Sequence, residues 1–204
     1  MANWGGRRVK GIMKTMEKIN IPQGIMTEIG FNDEVLPPYF TVIMKMNELL
    51  TAEQRCAVME QEGCNKNKGG RYDTKSREFA HKHAGKSLAE KINELTKKGE
   101  NLLLNDDGTL TARACNVDDK EGIFKVCHCL KEKYAEESKL FLNESSDKAL
   151  MFSETFCGCC AGHWKHHLQI KLDVKLRLKS IGTSPDKTEK GHSRIFVYEP
   201  INNN

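Results

Sequence analysis

Nothing in the 204 residues approaches the run of roughly 20 apolar residues that a bilayer-spanning helix needs. The opening stretch, Met1-Ala2-Asn3-Trp4-Gly5-Gly6-Arg7-Arg8, carries charge with no apolar segment behind it, so no signal peptide is expected. Strong charge bias is also lacking. A net charge of +4 permits anionic partners without demanding nucleic acid. Tyr72 is the one aromatic among the lysines and arginines of 66 to 77, which leaves a basic surface loop without a stacking platform and argues against nucleic-acid binding. No internal repeat is visible, and no strand followed by Cys-x-x-Cys and a partnering proline marks a thioredoxin-type oxidoreductase. A cytoplasmic protein with no membrane partner is the expectation. Its eight cysteines then read as reduced thiols rather than a disulfide framework, although secretion would reverse that reading.

The thiols are unevenly placed. Cys127-His128-Cys129 and Cys157-Gly158-Cys159-Cys160 form two clusters, the second followed at once by His163, His166 and His167. Thiolates are soft, polarisable ligands for zinc or iron–sulfur clusters, and a tetrahedral site draws two pairs from distant parts of a chain. Cys127 with Cys129, and Cys157 with Cys160, supply two such pairs. On a helix Cys157 and Cys160 share a face that His163 and His167 continue. A second reading is nucleophilic: at a helix N-terminus the dipole favours thiolate, with Cys159 as attacking group and His163 as general base. A third is inert packing, since cysteine is among the most buried residue types. Cys56, Cys64 and Cys115 are isolated and read as packed residues, and His81 as solvated.

Periodicity places a helix over residues 8 to 19 and another after Pro37-Pro38, with Phe40, Ile43, Met44, Met46 and Leu49 on one face. Thr51 and Gln54 have capping-box spacing and restart a helix that runs to Gly63. A third helix is expected over about 73 to 98. Asn105-Asp106-Asp107-Gly108 is a turn signal between two short strands. A strand at 123–127, helices at 131–143 and 154–168, and an alternating strand over 170–179 follow. Ser184 through Gly191 reads as a polar connection, and Arg194 to Tyr198 as the last strand. The predicted fold class is α+β: a mainly helical part over 1–100, and a cysteine-rich part over 101–204 with an antiparallel sheet and packed helices, the two forming one compact unit.

The Cys-x-Cys pair, Phe156 through Trp164 opening a helix, and the strand from Leu172 to Ser180 resemble bacterial cysteine-rich proteins related to 4-vinyl reductase-like and aminothiazoline-carboxylate hydrolase-like domains. The resemblance covers under half the chain. It implies a compact α+β domain with a cysteine-bound metal, zinc, beside a pocket for a small organic ligand. Those families often carry a cysteine entering the last strand, where this chain has Gly191-His192-Ser193.

These readings converge on a cytoplasmic metal- and small-organic-ligand-binding protein. Zinc would be held by Cys127, Cys129, Cys157 and Cys160, with the helical half covering the pocket or forming a homodimer contact. The first alternative is a cysteine- or zinc-dependent hydrolase of a small C–N or C–S compound using Cys159 and His163. The second is a structural zinc module for protein contacts.

Overall fold

The computed structural model describes residues 4–31, 36–63, 66–117, 154–188 and 191–201. Six helices lead: α1 (Trp4–Lys18), α2 (Gln23–Ile29), α3 (Tyr39–Leu49), α4 (Ala52–Met59), α5 (Arg71–Lys82) and α6 (Leu88–Lys97). Strands β1 (Leu102–Leu104) and β2 (Leu110–Val117) follow, then a 3-10 turn (Glu154–Cys157) running into α7 (Gly158–Leu172), and strands β3 (Lys175–Thr188) and β4 (Gly191–Ile201). The architecture is α+β, with a four-stranded antiparallel sheet in the order β1-β2-β4-β3. No helix among the described residues is long and apolar enough to cross a membrane.

Capping chemistry sets the helix boundaries. Thr51 accepts from the Gln54 backbone N–H while the Gln54 side chain accepts from the Thr51 N–H, as the spacing predicts. Ser87 and Glu90 repeat the device at the start of α6. That second box, with Gly85 at φ +80°, divides the single helix expected over 73–98 into α5 and α6. The basic run of 66–77 is likewise not all loop. Helix α5 starts at Arg71, and Asp73 is buried, accepting from the Gly69 N–H at 2.9 Å and from Arg77 Nε at 2.9 Å.

The alternating segment after residue 169 is only partly strand. Helix α7 continues through Leu172, where Lys91 Nζ donates to the terminal carbonyl at 3.0 Å, and Asp173 ends it at φ +57°. Strand β3 then buries Leu176 and Leu178 while Arg177 and Lys179 stay exposed. A register shift between Leu178 and Ser180 lets Ile181, rather than Ser180, take the next inward place. A second irregularity between Thr183 and Lys187 absorbs Ser184-Pro185-Asp186, so the expected connection is mostly strand and pairs again at Lys187↔His192. The strand expected at 123–127 and the helix at 131–143 lie outside the described residues.

Helix α7 is the centre of the assembly. None of residues 155 to 172 is exposed, and α7 touches α4, α5, α6, β2 and β3. A helix covered on every side has no wet face, which removes its amphipathic signature. Its first turns lie against the end of α4 at a distance only glycine permits. A Cβ on Gly162 would fall 1.7 Å from the Glu62 carbonyl oxygen, and one on Gly158 2.5 Å from Met59 Cβ. Further bonds fix the seat. Glu60 Oε2 accepts from Lys165 Nζ at 2.9 Å and from the Leu178 N–H at 2.8 Å, joining α4, α7 and β3. The buried Tyr198 hydroxyl donates to the Ala161 carbonyl at 2.7 Å, tying α7 to β4. Upstream, Phe156 stacks on Phe40 of α3 with centroids 5.4 Å apart, and Thr155 donates to Asn47.

Gly162→Ala is therefore expected to destabilise by about 3 kcal/mol or more, because backbone rather than a movable side chain occupies the space. Gly24→Ala, in α2 with nothing within 4 Å of the new carbon, is expected to be neutral or about 0.5 kcal/mol more stable. Urea denaturation midpoints of the two variants check this; equal midpoints would contradict it.

Candidate functional site

The cysteine cluster opens α7 but does not line its cavity. Cys157 stands at the helix N-cap and Cys159 two residues on, each 4% exposed and part of the core; Cys160 is half-buried against the same core. None of the three is in a disulfide. Cys157 and Cys160, three apart, fall on one side of the helix start. Cys127 and Cys129, the other half of the expected zinc set, lie outside the described residues. Among the described residues, no group of three or more histidine, cysteine or acidic side chains is arranged to hold a metal. Cys56 is buried in α4 and its thiol is pushed up to about 11, chiefly by desolvation, which makes it a poor nucleophile. Cys64 lies outside the described residues, and Cys115 falls at the register shift of β2. His81 is exposed, as expected.

His163 faces elsewhere. Its ring lies 5.5 Å from Tyr72 of α5 and 4.6 Å from His167, centroid to centroid. His167 is itself 5.9 Å from Tyr72 and 4.9 Å from His166. The Tyr72, His163 and His167 rings belong to the wall of a cavity of about 570 Å³ bordered by α5, α6 and α7. Tyr72, Ser76 and Phe79 come from α5, Leu95 from α6, and His163, Trp164, His167 and Leu168 from α7. The volume lies within the usual range for small-molecule sites, and the mixture of apolar walls with a few polar groups is typical of them.

Ser76 sets the polarity of the deep end. Its hydroxyl is 1% exposed, donates to the Tyr72 carbonyl at 2.8 Å, and lies 3.1 Å from His167 Nδ1. A hydroxyl has one hydrogen. With that hydrogen on the carbonyl, Nδ1 is the protonated nitrogen and donates to Ser76, which places the basic lone pair on Nε2. A serine so held and so buried orients an imidazole rather than attacking a substrate. Beside it, desolvation first and the Lys66 charge second hold His166 below the usual imidazole range, and its buried Nε2 has no hydrogen-bond partner.

Among the described residues, Glu62, just past α4, is the carboxyl raised furthest. Burial raises it to about 7, against the pull of Arg8 and Lys66, and the Cys159 thiol adds to the rise. The absent side chain of Gly11 makes its room: a Cβ there would meet Glu62 Oε1 at 2.7 Å. The same burial lowers Lys66.

The sequence pattern brought the Cys157–Cys160 segment and His163 into view but not Tyr72, Ser76, Trp164 or Glu62. Ser76 sits between Asp73 and Phe79 on the buried stripe of α5, at the i, i+3 spacing that was the available signal. No protein-family model, curated protein or solved structure matches the chain.

The Glu62 geometry has a pH consequence. Its folded value of about 7 lies above the ordinary 4.5, so the folded state holds the proton more tightly. This carboxyl costs nothing below about 4.5, and its cost grows to about 3 kcal/mol as pH rises through 7. Glu62→Gln is expected to gain stability relative to wild type by that amount between pH 4.5 and 7.5, read from urea midpoints. Parallel curves would contradict the assignment.

Proposed function

We propose that the chain binds a small organic ligand in the cavity between α5, α6 and α7, and that Cys157 and Cys160, with Cys127 and Cys129, hold zinc close to it. The observation that carries the ligand reading is the convergence of three aromatic rings and two imidazoles on one cavity of about 570 Å³. Aromatic walls supply contact area without lost rotamer freedom, and imidazoles and a hydroxyl fix orientation. The helical N-terminal half contributes two of the three walls, so ligand binding depends on both halves of the chain. The zinc reading is supported by the i, i+3 spacing of two thiols at the start of a fixed helix, half of a tetrahedral set. A resident zinc would hold its thiolates and the chain between them in place.

Two measurements test these parts separately. With Trp4→Phe, Trp164 is the sole tryptophan, and a small aromatic compound seated in the cavity is expected to shift or quench its emission saturably. Tyr72→Ala, at a side chain 51% exposed and so replaceable without core damage, is expected to weaken that binding about tenfold. Binding indifferent to Tyr72, or no response of Trp164 across a library of small aromatics, would contradict the cavity as ligand site. For zinc, Cys157→Ser and Cys160→Ser are each expected to lose the metal while Cys56→Ser retains it, by elemental analysis of untagged protein. Equal metal content in all three would refute the ligand assignment.

A further inference from the structure

The charges around the cavity mouth select among small organic ligands. Lys75, Lys82 and Lys98 border the cavity with exposed side chains, and Glu78 is their acidic counterpart. The remaining charges of the wall, Lys171 and Glu100, are paired to each other. Three ammonium groups therefore face one carboxylate around an apolar interior. Lys98 is placed more closely: its Nζ stands 4.9 Å from the centroid of Phe79, over the ring. A cation is thus held within a few ångströms of the aromatic wall.

We propose that the cavity takes an aryl anion of the carboxylate or sulfonate kind, with its ring against Tyr72, Phe79 and Trp164 and its charge at Lys75, Lys82 and Lys98. This rests on the reading of the cavity as the ligand site and adds the chemical class. A neutral arene gains the ring contacts alone; the anion adds attraction to lysines that have one acidic neighbour among them. The lysines are exposed, so their contribution falls as salt screens it, while the ring contacts persist.

The experiment compares 2-naphthoate with 2-naphthamide, equal in ring and near-equal in shape, by calorimetric titration at low salt. Wild type is expected to bind naphthoate about tenfold more tightly than naphthamide. In the K75Q/K82Q/K98Q variant, three changes at exposed side chains, naphthoate is expected to fall to the level of naphthamide, whose own affinity stays within about twofold. Equal affinity of the two compounds for wild type overturns the aryl-anion class while leaving the cavity as a ligand site. So does a preference for naphthoate that survives in the variant. Failure of both compounds to bind overturns the cavity reading itself.

Discussion

The contact on which the rest of the structure depends is the seating of α7 against the end of α4. Gly158 and Gly162 remove the side chains that would hold the two backbones apart, and the Glu62 carbonyl occupies the space a Cβ would need. Once there, α7 has its sides taken by the sheet, α4, α5 and α6, and its polar side chains must find partners inside the fold. Lys165 finds Glu60, Lys171 finds Glu100, and His167 finds Ser76. The histidines face α5 because the opposite side of the helix is already committed to α4 and the sheet.

This arrangement separates two meanings of the cysteine-rich segment. Its glycines are small for steric reasons, because α4 approaches Gly158 and Gly162. The thiols are a separate matter. All three lie in or against the core; Cys159 adds to the rise of the Glu62 carboxyl to about 7, and Cys157 and Cys160 are the pair proposed for zinc. The organic-ligand site forms from residues one and two turns further along α7.

Much of the fold was legible because local chemistry controlled it. The Thr51–Gln54 box, the turn at Asn105–Gly108 and the α+β division follow from spacing and turn residues. Errors came where tertiary contacts overrode a local pattern. Ile170 and Leu172 alternate with polar neighbours as a strand would, yet α7 extends through them because Lys91 satisfies its last carbonyl and Asp173 adopts the left-handed conformation. The division of α5 from α6 was encoded in Ser87 and Glu90, but the apolar periodicity of 73–98 ran across it. The cavity was least legible. Its residues are spread over three helices distant in sequence, and single-chain periodicity reports which residues are inward, not which inward residues meet. Nothing in the local pattern singles out Glu62, whose carboxylate lies where a side chain on Gly11 would stand.

The account turns on whether an aromatic ligand lies between α5 and α7. Intermolecular nuclear Overhauser effects between the ring protons of bound 2-naphthoate and the protein measure this directly. The account predicts effects to the Trp164 indole and the Tyr72 ring, both of which border the cavity. Effects confined to residues outside α5, α6 and α7 would contradict it.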